Sequence, residues 1–357
     1  MTLSRSGGAI DCHAHVAPAE WVEQLKAHAR NEAALNVPAQ WYASGFAEKL
    51  PASCTRYFFG SPRDRIDALD RAGVSVQVLS PGSMLAFPGE VAARADLVAG
   101  WNDAVHDEIE PLGGRFVQFA GLPLPEVQAS LDEIDRVRQR PWHVGFAIAS
   151  HVDGRDLDDD AWSPVFRRLD ALESVVFVHP SQFRAPGVFE RALDVDMGTQ
   201  VEDALTSVAV YSRLAGRYPG IRWLICHLGG ALPFLLERLD EHWERDRQHR
   251  TSTTAPSDSL GSMHFDTAGH GPRAIAFAVE ALGADRLVLG TDFPMVNSDD
   301  YPGLVERTVG AIRDEHDRRR VIHDNPSRLL GLAEPIDWAE SSPAVTIPEG
   351  TGGEQWN

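Results

Sequence analysis

Four apolar runs, spread from one end of the chain to the other, each finish in a side chain able to bind a metal or carry a proton, and this distribution restricts the folds open to it. The runs are Ile10-Asp11-Cys12-His13-Ala14-His15, Val175-Val176-Phe177-Val178-His179, Trp223-Leu224-Ile225-Cys226-His227 and Leu287-Val288-Leu289-Gly290-Thr291-Asp292. Alternate residues of a strand point to one side, so His13 and His15 can converge on one cation at a strand's C-terminal end. Further short apolar runs at 74–79, 116–122, 144–148 and 263–267 read as strands. Helical patterns separate them, at 62–72, 90–111, 125–139, 159–172, 198–215, 232–247 and 272–282, with more at 302–314, 316–323 and 325–332. Eight strands, nearly all apolar on both faces and interleaved with helices, predict an α/β fold, a parallel (β/α)8 TIM barrel. An open doubly wound sheet is the alternative. It is disfavoured because the candidate donors come from the first, middle and last strands, and only closure brings those ends round one mouth.

The chain has 357 residues, enough for one large domain or two ordinary ones. The barrel is expected to span 1–332. Within it, residues 19–60 form an aromatic-rich insertion after the first strand, a length of connection that commonly serves as a lid or an interface. A polar, Pro/Gly-rich tail follows at 333–357.

A formal net charge of −19 opposes attraction to nucleic acid or an anionic membrane surface, so neither is expected as a partner. No apolar stretch reaches the length of a membrane span, and the first residues lack the apolar core of a secretory signal, so a cytoplasmic location is expected. Cys12, Cys54 and Cys226 are odd in number and widely spaced, which indicates neither a disulfide framework nor a cysteine zinc site. Strand alternation turns Cys12 and Cys226 away from the face of the neighbouring histidines, toward apolar surroundings. The chain has two lysines, Lys26 and Lys49, and none later that could bridge two metals as a carboxylated lysine. A single metal ion is the simpler expectation.

With Asp11-x-His13-x-His15, His179-Pro180, Cys226-His227-Leu228-Gly229-Gly230 and Gly290-Thr291-Asp292-Phe293-Pro294 in order, the chain resembles the amidohydrolase superfamily. More narrowly it resembles the branch of metal-dependent decarboxylases typified by aminocarboxymuconate-semialdehyde decarboxylase. The likeness extends to Phe116 through Pro123, Gly145 through Val152 and Asn325 through Leu332. It implies one divalent ion, zinc with manganese as the alternative, bound by His13, His15, His179 and Asp292, with water or substrate completing the shell. It implies His227 as the proton-transferring residue, with Asp292 beside it in the catalytic set. A cation next to His227 would lower its pKa and favour a base near neutrality. The resemblance also implies a homodimer.

Two departures touch the substrate side. The family places a tryptophan after the central His-Pro, where this chain has Ser181. The family arginine that grips a substrate carboxylate falls out of register, leaving Arg56 as a substitute and Arg63 or Arg65 as others, although those two also read as surface arginines of a helix. Phe293 can wall the pocket. His151 and His270 follow strands and can face the mouth, whereas Asp266 and His264 read as supporting or core residues. His28, His106, His143, His242, His249, His316 and His323 read as solvated. The expected function is a nonoxidative decarboxylase of an unsaturated or aromatic carboxylic acid. A hydrolase or hydratase using the same site is the alternative, and a non-catalytic ligand-binding barrel is a third reading.

Overall fold

The structure, a computed structural model, describes residues 8–29, 51–82, 91–152, 154–180, 192–246 and 254–332. Ser181, the stretch 30–50 inside the expected insertion, and the tail 333–357 lie outside them. The strands are β1 (Ala9–His15), β2 (Val74–Ser80), β3 (Phe116–Gly121), β4 (His143–Ala149), β5 (His151–Val152), β6 (Arg155–Asp156), β7 (Val175–His179), β8 (Arg222–Ile225), β9 (Met263–Asp266) and β10 (Leu287–Val288). Among the helices are α1 (Ala19–Ala29), α2 (Ala52–Phe58), α3 (Ile66–Arg71), α4 (Val91–Ile109), α5 (Val127–Val137) and α6 (Ser163–Ala171). They continue as α7 (Ala192–Ala209), α8 (Leu232–Arg245), α9 (Pro272–Leu282), α10 (Tyr301–Ala311), α11 (Glu315–Arg319) and α12 (Asn325–Leu330).

Eight strands form one parallel sheet in the order β1-β2-β3-β4-β7-β8-β9-β10, while β5 and β6 pair antiparallel as a separate small hairpin that the sequence reading missed. The sheet curls until its edges meet. Cys12 N donates to Leu289 O, Asp292 N to His13 O and His15 N to Phe293 O, each at 2.8 Å. The segment that carries Asp292 therefore seals the barrel against β1, and β10 itself counts only two residues of regular strand. This is the (β/α)8 barrel expected from the strand pattern.

The burial pattern explains the sequence pattern. Every residue of β7 is buried, because helices cover one face and the barrel interior fills the other. Inside, Phe119 stacks on Phe177 with centroids 5.4 Å apart, and the Phe177 ring lies edge-on to His13 at 5.0 Å, so an aromatic floor supports the mouth. Burying each such ring contributes about 1.5–3 kcal/mol. Trp21 and Trp101, fully buried, donate their indole N–H to Leu97 O at 2.7 Å and Val16 O at 3.0 Å, tying α1 and the end of β1 to α4. Before α6, Asp159 Oδ1 accepts from Ala161 N at 2.9 Å and starts the helical turn there. Among the described residues no helix is long and apolar enough to cross a membrane.

Candidate metal and proton-transfer site

The C-terminal ends of β1 and β7, with the turns after β8 and β10, meet at one mouth, as the C-terminal face of such a barrel requires. His13, His15, His179 and Asp292 each offer one ligand atom, and these atoms all lie within 4.8 Å of one another. His13 Nε2 is 3.0 Å from His15 Nε2, and Asp292 Oδ1 is 3.0 Å from His15 Nε2 and 3.6 Å from His13 Nε2. The histidine side chains are buried and Asp292 keeps 14 % of its surface, so the carboxylate is the ligand that faces the opening.

The opposite ring edges decide what these nitrogens are. His13 Nδ1 donates to Asp266 Oδ2 at 2.9 Å and His179 Nδ1 donates to Pro180 O at 2.8 Å. His15 Nδ1 sits 3.0 Å from Ser80 Oγ and 3.4 Å from Ser80 O, a neighbour set by the pairing of His15 with Ser80 across β1 and β2. A carboxylate or carbonyl on Nδ1 requires a proton there, which leaves Nε2 of each ring with a lone pair. Burial holds His15 below its ordinary pKa and, together with the crowding of neighbouring imidazoles, His179 well below, so these rings are neutral. Asp292 stays ionised: burial opposes its charge, but hydrogen bonds with His15 and His227 hold its carboxyl well below the usual range. Imidazole lone pairs and a carboxylate, all acceptors, point at one spot. A divalent cation is what satisfies such a donor set.

His227 does not end a regular strand. It opens a tight turn after β8, with φ of 51° for itself and 57° for Leu228, both in the left-handed region that costs non-glycine residues energy. Its backbone N–H donates to Asp266 Oδ1 at 3.0 Å, and His270 Nε2 lies 3.0 Å from its carbonyl oxygen. Asp266 thus supports two site histidines at once, the supporting one of the two roles left open for it in the sequence. The His227 Nε2 edge faces Asp292 Oδ2 at 3.6 Å, while Nδ1 meets Asp203 Oδ2 at 2.9 Å. The sequence led us to expect a neighbouring cation to depress His227. The surrounding protein pushes the other way: burial disfavours the charged ring, but Cys226 and Asp203 and hydrogen bonds with Asp203 and Asp292 hold it well above its ordinary value. Since burial keeps the Cys226 thiol protonated, the carboxylates are the source of that stabilisation.

Asp203 was missed in the sequence because it sits in the middle of a helix, with no local motif to flag it. Cys226 is buried as expected but not in purely apolar company, for its Sγ lies 3.2 Å from Asp203 Oδ1 and 3.2 Å from Val178 O. Asp11 carries the opening motif yet is a brace: it accepts from Thr291 Oγ1 at 2.7 Å, Tyr301 Oη at 2.9 Å, Gln77 Nε2 at 2.9 Å and Thr291 N at 3.1 Å.

The arginines separate sharply. Arg65 is fully buried, against the surface reading, and donates to His15 O at 2.5 Å, Tyr57 O at 2.6 Å and Gln77 Oε1 at 3.2 Å. Its guanidinium ties the end of β1 to β2 and α2 through Nη1 and Nη2, while its Nε has no hydrogen-bond partner among the described residues. Arg56 is exposed on α2, with its guanidinium 5.3 Å from the Tyr57 ring centroid. Phe293 is 1 % exposed, packed against Tyr57 and Tyr301 with Arg65 over its ring. His151 is buried beside Glu202, its Nε2 3.8 Å from the Glu202 carboxylate, and His323, read as solvated, is buried as well.

Comparison with known proteins places this geometry. A 2-amino-3-carboxymuconate-6-semialdehyde decarboxylase of Dictyostelium discoideum is 24 % identical over 341 residues, covering 90 % of this chain and 91 % of that protein. A gamma-resorcylate decarboxylase of a Rhizobium species is 24 % identical over 291 residues, 75 % of this chain and 86 % of that protein. Among solved structures, 5-carboxyvanillate decarboxylase from Sphingomonas paucimobilis superposes with a TM-score of 0.78 at 21 % identity, covering 92 % of this chain and all of that one. A dihydroxybenzoic acid decarboxylase from a Polaromonas species, with bound manganese and 2-nitroresorcinol, gives a TM-score of 0.71 at 20 % identity over 91 % of this chain and 97 % of that one. The amidohydrolase family model matches residues 10–332, the whole barrel with every donor described above, and the chain belongs to the amidohydrolase family.

Proposed function

We propose that this protein is a metal-dependent nonoxidative decarboxylase of an unsaturated or aromatic carboxylic acid, with His13, His15, His179 and Asp292 holding one divalent ion and His227 carrying the proton. The observation that carries the reading is the convergence of imidazole lone pairs and one carboxylate, with the His227 Nε2 edge on the far oxygen of that same carboxylate. Relatives and structural neighbours named as decarboxylases support the reaction class. Zinc is the assigned ion on the strength of an imidazole-rich set, and manganese, bound in the Polaromonas enzyme, is the alternative.

A bound divalent cation supplies a Lewis acid that orients the substrate carboxylate or a hydroxyl beside it. The chain's own residues do the rest. In the reaction the bond between the substrate carbon and its carboxyl group breaks, carbon dioxide leaves, and the electron pair remains on carbon. His227 Nε2–H delivers the one proton that carbon then requires, and solvent restores it. Asp292 spans the two functions, with Oδ1 toward His15 and Oδ2 toward His227, so acid and ligand shell keep a fixed separation. Burial of the histidines keeps bulk water from competing for the proton. On the substrate side we assign Arg56 to the carboxylate and Ser181 and Phe293 to the pocket wall. The homodimer has a surface to draw on in Met197, Val201 and Leu205 along α7 and Phe234 at the start of α8, all exposed apolar side chains.

The test is release of carbon dioxide over a panel of hydroxybenzoates, carboxylated vanillates and muconate semialdehydes, before and after metal removal. We expect release with at least one acid, abolished by chelation and restored by zinc or manganese. Clean hydrolysis of esters or lactones with no carbon dioxide from any acid would move the protein to the hydrolases, and turnover that survives thorough chelation would remove the metal from the mechanism.

A further inference from the structure

We propose that Asp203 of α7 is the positioning residue for His227, its carboxylate holding the imidazole in the orientation with a proton on Nδ1, so that Nε2 is the edge that exchanges protons with the substrate. The inference rests on the assignment of proton transfer to His227 and carries it to a helix that contributes no ligand.

The geometry is that of a carboxylate gripped at two points by adjacent residues. Asp203 Oδ2 accepts from His227 Nδ1 at 2.9 Å, and Asp203 Oδ1 accepts from the Cys226 thiol at 3.2 Å. Asp203 is 1 % exposed and His227 4 %, so water does not compete for the pair. Imidazole is the stronger base of the two, which places the shared proton on Nδ1. The backbone of His227 is pinned separately through its N–H to Asp266 Oδ1. With the main chain held by one aspartate and the ring edge by another, the Nε2 edge has a single direction, toward Asp292 Oδ2 and the mouth.

The paired glycines after His227 give this contact its sequence basis. A Cβ on Gly230 would lie 2.1 Å from Gln200 O and 2.9 Å from Ala204 N, and one on Gly229 would lie 2.8 Å from Ser207 Oγ. Both glycines also have positive φ, 71° and 63°. A bare backbone there lets the turn of α7 around Asp203 rest directly on the His227 turn, and only at that approach does a side chain as short as aspartate reach Nδ1. The arrangement follows the general logic of a buried carboxylate that sets the tautomer of a catalytic histidine without taking its proton.

A carboxylate that merely satisfies a buried N–H would look the same in outline, and an acceptor that can also donate separates the two. Asparagine in place of Asp203 can turn its amide N–H as well as its oxygen toward Nδ1, so it no longer compels a proton there and leaves Nε2 free to take the other tautomer. In Asp203→Asn we expect kcat to fall about 100-fold or more while KM stays within about threefold, with metal content and Tm close to the parent. Asp203→Glu should recover part of that loss. The tautomer is read independently by 15N NMR of histidine-labelled, zinc-loaded parent protein, where the His227 Nδ1 should be protonated and hydrogen-bonded. Retention of kcat within about threefold in Asp203→Asn overturns the proposal. So does a loss shared equally by metal content and Tm that glutamate does not relieve. If Asp203→Asn does not fold, the parent spectrum decides alone, and an unprotonated Nδ1 overturns the proposal. His227→Gln run alongside keeps the two inferences apart: full activity there removes His227 as the proton carrier, whereas its loss together with a fully active Asp203→Asn removes only the role of Asp203.

Discussion

A ring nitrogen in this site accepts or donates according to what touches its opposite edge, and for each of the four histidines that contact is Asp266, Ser80, Pro180 O or Asp203. For His13 the contact is Asp266, whose other oxygen holds the backbone of His227. We expect Asp266→Asn to weaken metal affinity about 10–100-fold, because an amide both loses the charge and can present a donor where one is already present. Competition with a chromophoric chelator measures it, and unchanged affinity would deny the ring-orienting role. Crowding makes the same neighbourhood intolerant of size. A Cβ on Gly290 would sit 2.8 Å from the Cβ of Asp266 and 2.9 Å from that of His13. Gly290→Ala should therefore cost about 1–3 kcal/mol in urea unfolding of the metal-free protein and reduce its metal occupancy. Neither consequence was visible in the sequence, where Gly290 was one letter of a Gly-Thr-Asp motif and Asp266 one carboxylate of a short strand.

The elements that aim these residues are the irregular ones. β10 supplies two residues of strand, and the bent segment after it makes the closing hydrogen bonds to β1 and carries Asp292 with φ of 56°. Apolar runs announced where strands begin, since burial on both faces leaves a continuous apolar stretch in the sequence, but their ends were misjudged because His227 and Asp292 leave the strand to reach the mouth. The helix α7 shows the same limit. Its inward face carries Glu202, Asp203, Thr206 and Ser207, all buried, a polar face that no rule of amphipathic spacing anticipates. Gly230→Ala should drive the backbone of α7 away from the turn and lower kcat more than it raises KM, measured with the best substrate of the panel. Arg65 is the other hidden support. Replacing it with methionine leaves the carbonyl oxygens of His15 and Tyr57 without their donor, at about 1–3 kcal/mol each, and a Tm within a degree of the parent would contradict that estimate.

Over the whole molecule, acid should unfold the barrel from its lower end as well as from its site. His143 begins β4 and His264 lies in β9, and burial holds each near a pKa of about 4, against an ordinary 6.5. Between those values the unfolded chain takes up a proton at each position and the folded chain does not. The stability they confer is thus complete above pH 6.5 and drains away as the pH falls toward 4, by at most about 3 kcal/mol per residue. The double variant His143→Gln, His264→Gln should show a shallower fall of Tm across that window, and an unchanged slope would place the acid sensitivity elsewhere. Both histidines read as unremarkable in sequence, His143 as solvated, because burial at the N-terminal end of a barrel strand depends on the helices and loops packed beneath it.

By itself, the order of residues along the chain determined the barrel and the identity of the converging donors, since apolar runs of strand length and the residues that terminate them are local facts. The closure of the barrel, the pairing of each imidazole with its orienting acceptor, the burial of Arg65 and the reach of Asp203 to His227 were decided only in three dimensions. The closure and the reach of Asp203 join positions 24 to 280 residues apart, and such contacts follow from the curvature of the sheet and the seating of helices on it rather than from anything a short window of sequence contains.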